Sequence, residues 1–156
     1  MAKLPEPGDK APAFELPRGG GGTVSLAGLK GRKVVLYFYP KDDTPGCTTE
    51  AIDFTRLKPE FDKAGAEVIG VSRDTVAKHE KFAAKHKLEV ALGADEDGAV
   101  TEAYGVWQEK TLYGRKFMGI VRATFLIDGD GIVRRVWPKV SVKGHAEDVL
   151  AAVKAL

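Results

Sequence analysis

The chain has a single cysteine among 156 residues, so no internal disulfide can form, and its thiol is either an inert buried group or a reactive one. There is no Cys-x-x-Cys: Cys47 is followed by Thr48, Thr49 and Glu50, which removes the dithiol exchange on which a disulfide reductase depends. An excess of one charge is also missing. The 24 basic and 22 acidic residues leave a net charge of +2, too weak a field to attract phosphate backbones or anionic lipid, so neither nucleic acid nor membrane is expected as a partner. Nowhere do about 18 apolar residues run together. Met1 to Gly8 lack the apolar core of a signal peptide, and the expected location is the cytoplasm. Gly19 to Gly22 follow Arg18 without forming G-x-G-x-x-G ahead of a helix, which excludes a dinucleotide fingerprint. With no Cys/His cluster, neither structural zinc nor any cofactor is expected.

What is present fits one ordinary soluble domain spanning residues 1–156, long enough to bury a core without disulfides or metals. Residues 8–16 alternate weakly around Pro12, as an edge strand or extended lead-in does. The unbroken β-branched and aromatic run Val34 to Tyr39 has the pattern of a strand covered on both faces, and Pro40 ends it. From Pro45, Ala51, Phe54, Leu57 and Phe61 recur at helical spacing, and Glu67 to Ser72 reads as the next strand, completing a βαβ unit. A second amphipathic helix is expected over Thr75 to Lys87, a short strand near Val90 to Leu92, and a short helix over Ala99 to Tyr104. Arg122 to Ile127 and Ile132 to Trp137 flank Asp128-Gly129-Asp130-Gly131, whose Asp-Gly pairs signal a hairpin. His145 to Leu156 forms a terminal helix. The expected fold is α/β, with a mixed central sheet flanked by helices in the order of a thioredoxin-like fold.

The chemistry concentrates between the first buried strand and its helix. Thr44 suits a helix N-cap and Pro45 the first helical position, which places Cys47 third in the first turn. A negative group there meets unpaired backbone N–H groups and the positive end of the helix dipole, so the thiolate, which is the nucleophile, is favoured over the thiol.

Pro40-x-x-x-Thr44-x-x-Cys47 matches the P-x-x-x-T-x-x-C signature of peroxiredoxins. The string Tyr37 to Phe54 (YFYPKDDTPGCTTEAIDF) resembles the peroxiredoxin Q, or bacterioferritin comigratory protein, branch. Residues 8–14, 104–107, 113–115 and 119–128 resemble further ordered motifs of that family, so the likeness spans nearly the whole chain. It implies a thiol-dependent peroxidase in which Cys47 attacks a hydroperoxide and becomes a sulfenic acid. Thr44 would hydrogen-bond the peroxide, the N–H groups of Gly46 and Cys47 would hold the oxygen that gains charge, and Pro40 would shield the pocket. Arg122 would lie against thiolate and peroxide together. Glu50 matches an acidic or amide position of the family and joins Pro40 and Gly46 as a residue expected to bind substrate.

One departure matters. Many members of this branch carry a resolving cysteine five residues after the first, where this chain has Ile52, expected here to serve as packing. The implied cycle is therefore of the one-cysteine type, with a hydroperoxide as substrate and an external thiol such as thioredoxin, glutaredoxin or glutathione as reductant. A monomer is expected. The rival from another class is a non-enzymatic holdase or interaction module on the same scaffold, which would not need the activated thiol.

Asp95 to Gly98 and Asp128 to Gly131 superficially resemble calcium loops but lack a carboxylate at the twelfth position and are read as turns. His79 and His86 are seven residues apart, two turns along one helix and too far for one metal ion; they and His145 are expected to be solvated.

Overall fold

The computed structural model describes residues 3–156. The elements in chain order are β1 (Glu15–Pro17), β2 (Thr23–Ser25), a 3-10 turn (Ala27–Leu29), β3 (Lys33–Phe38), α1 (Pro45–Lys63), β4 (Ala66–Ser72), α2 (Val76–His86), β5 (Ala91–Ala94), α3 (Ala99–Ala103), β6 (Trp107–Leu112), β7 (Arg115–Ile120), β8 (Ala123–Ile127), β9 (Val133–Trp137) and α4 (His145–Ala155). Five strands form the central sheet in the order β5-β4-β3-β8-β9. β3 is parallel to β4 and antiparallel to β8, so the sheet is mixed, as expected.

The alternation along β3 explains the layering, because successive side chains of a strand face opposite ways. Val34, Leu36 and Phe38 join a core with Ile69, Val71, Phe125, Ile127 and Tyr104 on one face. Val35 and Tyr37 join Phe54 and Phe61 of α1, Phe82 of α2 and Val149 and Val153 of α4 on the other. A strand so placed has no solvent face, which is why its sequence reads as continuous rather than alternating hydrophobicity.

The Asp-Gly segment is the β8–β9 turn: Asp128 Oδ1 accepts from the N–H groups of Asp130 and Ile132 at 2.9 and 3.0 Å. Asp95 likewise accepts from the Val100 and Thr101 N–H groups at the start of α3. The lead-in is extended only in part, with Glu15–Pro17 pairing with Thr23–Ser25 across the glycine-rich turn.

The hairpin of β6 and β7 was absent from the sequence expectation. Its turn is Tyr113-Gly114, with φ of 51° and 76°, the left-handed pair of a two-residue hairpin. Asn-Gly or Asp-Gly would have signalled it, whereas tyrosine in that conformation carries no such signal.

Candidate active site

The antiparallel pairing of β8 with β3 sets Ala123 beside Phe38 and so brings Arg122, just before β8, to the strand end where the chain turns into α1. Helix α1 begins at Pro45, with Cys47 in its first turn. Two segments 75 residues apart thus converge: an Arg122 Nη2–H donates to Cys47 Sγ at 3.2 Å. An Nη1–H of the same guanidinium donates to Glu50 Oε1 at 2.6 Å. The fork therefore bridges sulfur and carboxylate. Gly46 makes room for it, since a Cβ there would stand 3.2 Å from Arg122 Nη2.

The sulfur sits within the fold, with Cys47 only 1% exposed. Glu50, one turn further along α1, is equally buried. Burial pushes its carboxyl up to about 7 against the opposing pull of Arg122. Its other oxygen, Oε2, and the hydroxyl of Tyr37 are the two buried side-chain oxygens without a hydrogen-bond partner among the described residues.

Thr44 takes the N-cap position with extended backbone, φ −94° and ψ 155°. Its side chain departs from the usual cap. The hydroxyl donates to the Lys41 carbonyl at 2.9 Å instead of accepting from the first turn, so no side chain caps those N–H groups. Pro40 is half-buried at the start of the same loop.

The structure corrects three expectations. Ile52 is no packing residue: it is 42% exposed on α1. His79 is not solvated but fully buried, because the face of α2 that carries Phe82 also carries it inward. Its ring contacts Asp42 Oδ2 through Nδ1 at 2.6 Å and the Gly93 carbonyl through Nε2 at 2.9 Å. His145 is buried as well, paired with Thr124 Oγ1 at 2.8 Å, and burial pushes it down to about 4. His86 is half-buried.

Sequence reasoning also missed Lys110 of β6, which donates to the Ile120 carbonyl at 2.8 Å. Burial, reinforced by the nearby Arg122, lowers it from the ordinary lysine value, and Cys47 opposes the shift. Its only sequence signal is a lysine within an unrecognised strand. Among the described residues no group of three His, Cys, Asp or Glu side chains is placed to hold a metal ion, and no helix is long and apolar enough to cross a membrane.

Comparison with known proteins agrees with this fold. The AhpC/TSA family model matches residues 7–136. The peroxiredoxin Bcp of Xanthomonas campestris is 50% identical over 147 residues, covering 93% of this chain and 92% of its own length. The peroxiredoxin Bcp of Bacillus subtilis is 48% identical over 149 residues, covering 96% and 95%. Among solved structures, a PrxQ variant of Xylella fastidiosa superposes with a TM-score of 0.93 at 39% identity, covering 98% of both chains. A structure of Xanthomonas campestris peroxiredoxin Q superposes at 0.88 with 48% identity, covering 99% of this chain and 97% of that one.

Proposed function

This chain belongs to the AhpC/TSA family and is a peroxiredoxin, a thiol-dependent peroxidase; from that premise we propose that its cycle runs on Cys47 alone and is closed by a thiol from outside the chain. The observation that carries the reading is the contact of Arg122 with Cys47 Sγ in a chain without a second cysteine.

In the first step the Cys47 thiolate attacks one oxygen of ROOH. The S–O bond forms, the O–O bond breaks, the departing RO⁻ takes a proton from solvent, and Cys47 is left as a sulfenic acid. Arg122 and the positive end of α1 stabilise negative charge on the sulfur beforehand and on the oxygens as the O–O bond stretches. The N–H groups of Gly46 and Cys47, uncapped by any side chain, face the same charge. Thr44 donates its own proton to Lys41, which leaves its oxygen free to accept the peroxide O–H. Pro40 limits water at the loop. Glu50 acts through Arg122, whose orientation it holds. In the second step an external thiol, with thioredoxin, glutaredoxin and glutathione as candidates, attacks the sulfenic sulfur and expels water; a further thiol then releases Cys47. Because Cys47 is buried, the start of α1 must open for that exchange.

Hydrogen peroxide and organic hydroperoxides are the proposed substrates. The latter choice draws on a solved relative, the Xanthomonas campestris bacterioferritin comigratory protein, whose structure is described in terms of alkyl peroxide reduction activity. The proposal extends to a cytoplasmic monomer acting as one domain over residues 1–156; an unpaired buried thiol suits a reducing compartment.

Peroxide consumption with dithiothreitol as reductant tests the reading. Cys47→Ser is expected to lower the rate by at least about a thousandfold while circular dichroism is unchanged, since a serine hydroxyl is a far weaker nucleophile. Wild type treated with one equivalent of peroxide should label with dimedone, as seen by mass spectrometry. Peroxide turnover by Cys47→Ser would end the cysteine mechanism, and a wild type that consumes no peroxide would favour a scaffold without this chemistry.

A further inference from the structure

His79 and His86 stand seven residues apart on α2, almost on one face, and each meets one of two adjacent aspartates of the loop between β3 and α1. His79 contacts Asp42 at 2.6 Å inside the fold. His86 Nε2 contacts Asp43 Oδ1 at 2.9 Å at the surface, and Lys85 Nζ donates to Asp43 Oδ2 at 2.8 Å. Phe82 lies between the two contacts, near Tyr39 on one side and edge-on to His86 on the other.

Hydrogen-bond accounting at the buried contact is complete. The Gly93 carbonyl can only accept, so His79 Nε2 carries a hydrogen, and the short Nδ1–Oδ2 contact must then hold a second proton, on the ring or on the carboxyl. Asp42 Oδ1 accepts from the Tyr39 hydroxyl at 2.5 Å. The Asp42 N–H donates to Asp74 Oδ2 at 2.8 Å, and Ser72 Oγ donates to the same oxygen at 2.7 Å. Asp42 is thereby tied to β4, β5 and α2 together. The next residue, Asp43, sits at φ 61°, in the left-handed region that aspartate enters more readily than most residues with a side chain.

The clamped segment runs directly into Thr44 and the first turn of α1. From this juxtaposition we infer that His79 and His86 form a two-point clamp on residues 42 and 43 and are positioning residues for peroxide reduction, setting Thr44 and the Gly46 and Cys47 N–H groups against the oxygens of the peroxide. The inference rests on the peroxidase cycle proposed above. It follows from how steeply reactions depend on alignment: a displacement of about 1 Å in a positioned group can cost on the order of a hundredfold in rate. Neither histidine touches the reacting atoms.

The test compares two reactions of the same sulfur at 25 °C on folded protein: oxidation by hydrogen peroxide, which needs the positioned donors, and alkylation by iodoacetamide, which does not. His79→Leu should slow oxidation about tenfold, with alkylation as fast as in wild type or faster. Asp42→Asn should oxidise within about twofold of wild type, because its amide can donate to a neutral His79 Nδ1 while its carbonyl accepts from Tyr39. The clamp is overturned if His79→Leu oxidises like wild type, if its oxidation and alkylation fall in parallel, or if Asp42→Asn is as slow as His79→Leu. Should His79→Leu fail to fold, the surface-side pair Lys85→Ala with His86→Ala decides: oxidation slowed about threefold supports the clamp, and an unchanged rate overturns it. Wild type run alongside separates the two readings, since a wild type that consumes no peroxide overturns the cycle itself and the clamp with it, whereas an active wild type with indifferent variants overturns the clamp alone.

Discussion

Two buried polar clusters flank the loop between β3 and α1, and they follow opposite rules. Around Asp42 and His79 every polar atom is satisfied: Asp42 takes Tyr39 on one oxygen and His79 on the other, and His79 reaches Gly93 with its second nitrogen. Around Cys47, Arg122 spans sulfur and Glu50, yet Glu50 Oε2 and the Tyr37 hydroxyl have no partner among the described residues. Burial without partners is costly, of the order of 1–3 kcal/mol per group. The saturated cluster has only to hold its shape. In the cycle proposed above, the sulfur of the unsaturated one must change charge and partners at every turnover, and a fully occupied hydrogen-bond shell there would oppose that change.

The largest effect should come from breaking the unsaturated side at its cation. Arg122→Met is expected to slow Cys47 oxidation by about a hundredfold to a thousandfold, the range for loss of one donor that stabilises developing charge. Stopped-flow oxidation with hydrogen peroxide measures this, and a rate within threefold of wild type would reduce Arg122 to a structural ion-pair partner.

Next is the cost of the raised carboxyl. The Glu50 value in the folded protein, about 7, lies above the ordinary 4.5, so the native state holds its proton to higher pH than the unfolded chain does. Stability from this group is therefore full below pH 4.5 and lost as pH rises through 7, a loss on the order of 3 kcal/mol. Glu50→Gln should be more stable than wild type at pH 8 by up to that amount, with the difference vanishing near pH 4.5. Urea unfolding of both proteins at the two pH values gives the comparison; equal stability at pH 8 would show that Arg122 compensates the carboxylate fully. His145, pushed down to about 4, contributes the opposite slope, its stability being lost as pH falls from 6.5 through 4, and it is present in both proteins.

The smallest and most direct contrast uses two neighbours on one strand. Tyr37→Phe removes an unpartnered hydroxyl packed against Gly70 and should stabilise the fold by about 1 kcal/mol. Tyr39→Phe removes the donor to Asp42 and should destabilise it by a similar amount. Thermal melts that shift in the same direction would break the comparison.

Much of this was legible in one dimension. The β3 run, the helix start at Thr44-Pro45, the place of Cys47 in the first turn and the Asp-Gly hairpin are local patterns, and the structure agrees with the sequence expectation at each. Peroxiredoxin motifs made Arg122 a candidate, although an arginine ahead of a strand reads by itself as a surface residue. The histidines were misjudged for a related reason: a spacing of seven says that two side chains share a helix face, not whether that face meets solvent or an aspartate more than 35 residues earlier. Ile52 failed in the other direction, an apolar residue left on the outside of α1.

What the sequence by itself determined is the chemistry available: one thiol, no second cysteine beside it, and a helix start that places that thiol in its first turn. Only the tertiary structure decided which groups surround that thiol. The antiparallel register of β8 on β3 delivers Arg122 to Cys47, the sheet order carries α2 to the loop so that His79 finds Asp42, and burial raises Glu50. Each of these depends on which strands and helices become neighbours and on how much water they exclude, and periodicity along the chain reports only the direction a residue faces.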